Sequence, residues 1–305
     1  MAFREIYRRQ AALLIRTLPF VAAEKCFALK GGTAINLFIR DMPRLSVDID
    51  LTYVPIEPRE TSLLAVEAAL RRIAQQVRAK MKEARVHEGR LQPEGKVTKL
   101  IVRANDIQTT IEVTPVIRGC VYEPKLRAVS AAVEEAFGFA EMPVVSFADL
   151  YAGKIVAALD RQHPRDLFDA RDLLAHEGID DLLRRAFIVY LLSHTRPMAE
   201  VLAARRKNIS QDYARAFDGM TEEPIALEEL EQAREALIES IVGKMPDAHR
   251  KFLISFERGK PDWALLGLPE AANLPAVKWR QQKLDELSGE KRGALVAQLE
   301  KVLSD

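Results

Sequence analysis

Apolar residues recur along this chain with two distinct periods, and the change from one to the other divides it. From residue 2 to 18 they follow helical spacing, and Pro19 is expected to end that helix. Phe27-Ala28-Leu29 reads as a short buried strand running into Gly31-Gly32, and Thr33 to Ile39 as a helix broken by Asp41-Met42-Pro43. A strand is expected over 45–53, where Leu45, Val47, Ile49 and Leu51 alternate with Ser46, Asp48 and Asp50. Leu63, Val66, Leu70, Ile73, Val77 and Met81 then form the stripe of a long amphipathic helix from Thr61 to about Arg85. Two further strands, Val97–Arg103 and Ile107–Val116, flank a turn at Asn105-Asp106. From Ser146 onward helical patterns take over, punctuated by Pro164, Pro197, Pro224 and Pro246. The fold class is therefore α+β. It combines a mixed sheet flanked by helices (1–145) with a helical C-terminal domain (146–305).

Composition narrows this little. The 305 residues carry a formal net charge of +1, so no global field favours nucleic acid. Basic side chains do gather on the helix 61–85 (Arg71, Arg72, Arg78, Lys80, Lys82, Arg85) and at Arg205-Arg206-Lys207. Either group could face an RNA backbone or simply water. Cys26 and Cys120 sit in apolar contexts and suggest no disulfide framework. With no apolar run of membrane-spanning length and no leader-like N-terminus, a cytoplasmic location is expected.

Chemistry concentrates in four places. On a strand, Ser46, Asp48 and Asp50 share one face while Val47, Ile49 and Leu51 take the other. Like charges side by side repel, so folding alone gives little reason for the pair. A divalent cation resolves the conflict, because Mg²⁺ binds through one or two carboxylates plus substrate phosphates. Gly31 and Gly32 at a helix start offer backbone N–H groups to such phosphates, with Thr33 beside them. Glu112 alternates outward from Ile111 and Val113 and is the natural third acid. Lys154 lies in the apolar helix around Ile155 and Val156, ahead of Arg165-Asp166-Leu167-Phe168-Asp169. It either snorkels to water or points into a catalytic cleft and pairs with triphosphate oxygens or Asp166.

Taken in order, Gly31-Gly32-Thr33-Ala34, Arg44-x-Ser46-x-Asp48-x-Asp50-Leu51, Ile111-Glu112-Val113 and Lys154…Arg165-Asp166-Leu167-Phe168-Asp169 resemble the AbiEii-type nucleotidyltransferase toxins of the DNA polymerase β-like superfamily. The resemblance covers residues 30–170. It implies two lobes with the active site in a cleft to which the helical domain contributes, and a cognate antitoxin from a toxin–antitoxin or phage-abortive pair. It also implies transfer of a nucleoside monophosphate from an NTP to the 3′ acceptor end of tRNA, inhibiting translation. On that pattern Asp48, Asp50, Lys154 and Asp166 would be catalytic. Asp48, Asp50 and Glu112 would hold Mg²⁺ or Mn²⁺, and Gly31, Gly32, Thr33, Ser46 and Lys154 would bind the nucleotide. Two alternatives stay open: a non-catalytic nucleotide- or RNA-binding regulator, and a transferase acting on a protein or small molecule. Triphosphate binding without pyrophosphate release would mark the regulator. A two-metal phosphodiesterase would shorten RNA instead of extending it, and the acids have no His-rich metal set beside them.

Overall fold

The computed structural model describes residues 4–221 and 223–304. Two units emerge. The first comprises Met1–Ser146 together with Phe217–Pro224; the second comprises Phe147–Ala216 and Ile225–Asp305.

The first unit is built on one seven-stranded mixed sheet. Its elements are α1 (Glu5–Ala22), β1 (Phe27–Lys30), α2 (Gly31–Ala34) and β2 (Asp48–Tyr53), then α3 (Arg59–Lys80), β3 (Ala84–Leu91), β4 (Lys96–Ala104) and β5 (Ile107–Arg118). After these come β6 (Lys125–Ala128), α4 (Ala131–Phe137) and β7 (Glu141–Val144). Strand order is β3-β4-β5-β2-β1-β7-β6. The β2/β5 and β1/β7 pairs are parallel and the others antiparallel.

One sheet face is apolar because alternation puts Leu100, Val102, Ile49, Leu51, Ile111 and Val113 on it, all fully or almost fully buried. Helices α1 and α3 contact the sheet and each other, adding Leu14 and Leu18 from α1 and Leu63, Val66, Leu70 and Ile73 from α3. Each such side chain stabilises the fold by about 1.5–3 kcal/mol on burial.

Several elements differ from the sequence expectation. The first helix, expected from residue 2 to 18, runs from Glu5 to Ala22 and passes through Pro19; residues 2 and 3 lie outside the described residues. The lost hydrogen bond is offset by the complete burial of Leu18 and Val21 on either side. Thr33 to Ile39 is a short α-turn followed by a π-helical turn, Ile35–Ile39. The α3 helix ends at Lys80, so Arg85 stands on β3, a strand the helical stripe concealed. Residues 217–224 pack with the first unit through Leu45 N–H to the Met220 carbonyl (2.9 Å), Arg4 N–H to the Gly219 carbonyl (3.2 Å) and a bridge from Arg44 to Thr221.

The second unit is helical. Its opening helices are α5 (Phe147–Asp160), α6 (Pro164–His176) and α7 (Asp181–Leu192), and α5 packs against both α6 and α7. Pro164 and Pro275 occupy the first turn of their helices, and Pro197 and Pro246 directly precede theirs. In those positions a missing N–H costs nothing. Among the described residues no helix is long and apolar enough to cross a membrane.

Candidate active site

The register of the sheet sets the site. Lys30 on β1 stands across from Asp50 on β2, Asp50 across from Glu112 on β5, and Glu112 across from Lys99 on β4. Directly opposed residues share a face, so Lys99, Glu112, Asp50 and Lys30 form one row of alternating and like charges. Asp48 lies two residues from Asp50 on the same face, and both are half-buried beside the fully buried Ile49 and Leu51. The predicted common face of the two acids is therefore present.

Gly31 adopts φ +72°, a left-handed conformation that favours glycine. A Cβ there would lie 2.5 Å from Asp50 Oδ2, so the carboxylate rests against bare backbone. Gly32 is constrained differently: its Cβ would meet the Arg44 guanidinium at 2.7 Å. Arg44 is only 2% exposed, and its Nη1 donates to the Leu45 carbonyl (3.1 Å). Asn36 Nδ2 donates to the Gly32 carbonyl (2.9 Å). The Thr33 hydroxyl bonds to the Asp48 carbonyl and lies 2.9 Å from the Ser46 hydroxyl. Thus the fifteen residues 33–47 fold back on themselves and tie the glycine turn to the acid strand. Thr33 and Ser46, both buried, make that tie.

Two cations flank the acids. Lys30 Nζ donates to the Thr114 hydroxyl (2.6 Å). Burial pushes the Lys30 ammonium below its usual range, with Asp50, Cys120 and Glu112 opposing that shift. Lys99 Nζ is 2.9 Å from Glu112 Oε2, in a pair whose side chains are 40% and 49% exposed. Glu112 is thus placed across from Asp50 as expected, with its carboxylate turned to Lys99. Among the described residues no three of His, Cys, Asp and Glu are gathered as a ready-made metal set. The arrangement fits an ion held by two carboxylates and completed by substrate oxygens. Arg44 opens the quoted acid motif and Lys30 directly precedes the quoted glycines, neither with a role read from sequence. The readable signal for both was a cation immediately beside the glycines or the acids.

In the second unit, Lys154 Nζ lies 2.7 Å from Asp166 Oδ1 and 2.9 Å from Asp169 Oδ2, with all three side chains buried. Arg161 Nη2 adds a 3.0 Å bond to Asp166. Burial alone would raise the Asp166 pKa. The Lys154 charge, then the Arg161 hydrogen bond, outweigh it and hold the carboxyl well below the usual range. Lys154 does not snorkel; the pairing with Asp166 is what forms. Asp169 joins the same cluster. A separate cavity of about 720 Å³, lined by Phe256, Trp263 and Val277 among others, shares no residue with either cluster.

A glycine turn locked to an acid-bearing strand in a mixed sheet, followed by a helical unit, defines a nucleotidyltransferase-type architecture. The fold is similar to that of MenT4, a nucleotidyltransferase toxin from Mycobacterium tuberculosis H37Rv, with a TM-score of 0.61 at 16% identity, over 91% of this chain and 93% of that one. No curated protein matches the chain in sequence. The family model described as nucleotidyl transferase AbiEii toxin, type IV toxin–antitoxin system, matches residues 12–282. The chain belongs to the AbiEii family of nucleotidyltransferase toxins and is a nucleotidyltransferase. Membership implies an antitoxin partner, and enzymes of this class use a nucleoside triphosphate with a divalent metal.

Proposed function

We propose that the protein transfers a nucleoside monophosphate from a nucleoside triphosphate to the 3′ acceptor end of tRNA and thereby inhibits translation. The observation that carries this reading is the shared face of Asp48 and Asp50, with Gly31 bare against the Asp50 carboxylate. Asp48 and Asp50 would hold Mg²⁺ or Mn²⁺, and Glu112 would join them on leaving Lys99. When bound, such an ion supplies positive charge at the α-phosphate and helps the 3′-hydroxyl to attack.

The chain's own groups do the rest. Gly31 and Gly32 bring backbone close to the β- and γ-phosphates, where no side chain would fit. Thr33 and Ser46 position the acid strand through their bonds to one another and to the Asp48 carbonyl. Lys154, Asp166 and Asp169, with their charges already paired, brace α5 against α6 within the second unit. The reaction is cytoplasmic, where tRNA and triphosphates are both present.

The test is mass spectrometry of total tRNA incubated with each triphosphate in turn. Wild-type protein is expected to lengthen tRNA by whole nucleotides and release pyrophosphate. Asp48→Asn should lower that transfer by at least roughly 100-fold. It should leave thermal stability equal or higher, because one of two neighbouring like charges is gone. Full transfer by Asp48→Asn, or label on protein with none on tRNA, would sink the reading.

A further inference from the structure

The open face of the sheet continues beyond the acids. Register lays three cross-strand rows over it. The first is Gly89, Lys99, Glu112, Asp50 and Lys30; the second is His87, Ile101, Thr110 and Asp48; the third is Arg85, Arg103 and Gln108. Arg85, His87 and Arg103 are exposed.

The third row carries the same kind of puzzle as the acids, with the sign reversed. Arg85 and Arg103 are directly opposed on antiparallel strands, and like charges so placed are destabilising. Nearby carboxylates are engaged elsewhere. Asp106 holds Arg9, Glu83 holds Arg16, and Glu88 stands 3.6 Å from Arg90. Arg103 donates to the neutral Gln108 (2.9 Å), and among the described residues Arg85 makes no side-chain hydrogen bond or ion pair. Among the described residues no carboxylate pairs with either arginine.

Five of the other basic residues picked out by sequence behave otherwise. Arg71 pairs with Glu67, Arg72 with Glu24 and Arg206 with Glu235; Arg78 donates to the Val86 carbonyl and Lys207 to that of Asp160. Three of these five have their charge matched by a carboxylate, and the other two are tied to backbone.

We propose that the β3–β4 face, through Arg85, His87, Lys99 and Arg103, is the track on which the sugar–phosphate backbone of the RNA acceptor lies as its end reaches Asp48 and Asp50. This deepens the reading of the acids as a transfer centre and rests on it. Strand spacing and rise put Arg103 roughly 12 Å from Asp48, too far for one small acceptor to touch both. Arg85, His87 and Arg103 are exposed on it, whereas a small-molecule site would enclose its ligand. Guanidinium groups match phosphate oxygens bidentately. The rows contain no Phe, Tyr or Trp for base stacking, so the track grips mainly backbone and reads little sequence.

The test is the double variant Arg85→Gln/Arg103→Gln, with fluorescence anisotropy of labelled total tRNA between 50 and 200 mM salt (about the range where phosphate contacts dominate). Thermal midpoint and transfer kinetics are read in parallel. Affinity for tRNA is expected to fall roughly tenfold, and the KM for tRNA to rise in step with kcat and the KM for triphosphate unchanged. The slope of log affinity against log salt should become shallower by about 1.4, or 0.7 for each lost single-strand phosphate contact. The thermal midpoint should hold or rise, as relief of like-charge repulsion requires. Unchanged tRNA affinity and salt slope would overturn the track, even where wild-type protein transfers nucleotides normally. So would unchanged tRNA binding with lost binding to an acidic protein. Wild-type protein that binds tRNA through these arginines and never extends it would instead remove the transfer reading and leave the track standing.

Discussion

The protein holds its two acid clusters in opposite ways. On β2, Asp48 and Asp50 stand half-buried on one sheet face, with Lys30 opposite Asp50 on β1 and Lys99 beyond Glu112 on β4. Between α5 and α6, Asp166 and Asp169 are sealed around Lys154, with every ammonium–carboxylate distance under 3 Å. The open pair can gain by taking up a cation, because its like charges remain side by side. The sealed cluster is complete as it stands, and removing one member leaves a charge buried without its partner. One cluster is built to receive and the other to hold.

Lys154→Met tests the sealed side most severely. It should cost about 3–5 kcal/mol by urea unfolding, since Asp166 and Asp169 lose their shared cation. Acid sharpens the result. Asp166 titrates below the unfolded value, so its stabilising contribution is full above roughly pH 4 and is lost as pH falls through the lower folded value. The gap between wild type and Lys154→Met should therefore narrow on acidification. A gap that stays constant with pH would break the contrast drawn above. Gly31→Ala probes the open side with a smaller effect. Its φ of +72° and the 2.5 Å approach to Asp50 together cost about 1–3 kcal/mol. Nucleotide transfer should fall further than stability, because the displaced atom is a carboxylate oxygen of the acid pair. Transfer at the wild-type rate would remove Asp50 from the site. Lys99→Met should change least, by about 0.2–1 kcal/mol, because its ion pair is exposed. Freed from Lys99, Glu112 should tighten Mn²⁺ binding measured by paramagnetic resonance; weaker binding would mean that Lys99 organises the acids.

The sequence disclosed the acid face because strand alternation is strict: Ile49 and Leu51 point inward, so Asp48 and Asp50 must point outward. Glu112 was legible on the same ground, as was the glycine turn. Its conformational reason, the approach of Asp50 to Gly31, needed the structure. What stayed hidden depends on partners far along the chain. The β3 strand was concealed because the helical stripe extends to Met81 and half of the strand's alternating positions are polar and exposed. The strands β6 and β7 are four residues each, and β6 is exposed throughout, so no periodicity marks it. Ion pairing of Arg72 and Arg206 was equally invisible, since Glu24 and Glu235 come close only in the folded protein. The same holds for Arg85 opposite Arg103, which required both strands and their register.

The segment Phe217–Pro224 makes the chain leave the first unit, return to it and leave again. A product ending at residue 146 would carry every acid of the open face but lack the strap whose Met220 carbonyl receives the Leu45 N–H, next to the buried Arg44 beneath Gly32. Premature termination there would remove the hydrogen bond and the bridge that hold residues 44 and 45 beside the glycine turn. A frameshift between codons 147 and 216 would thus reach the glycine turn while every acid of β2 and β5 stays encoded.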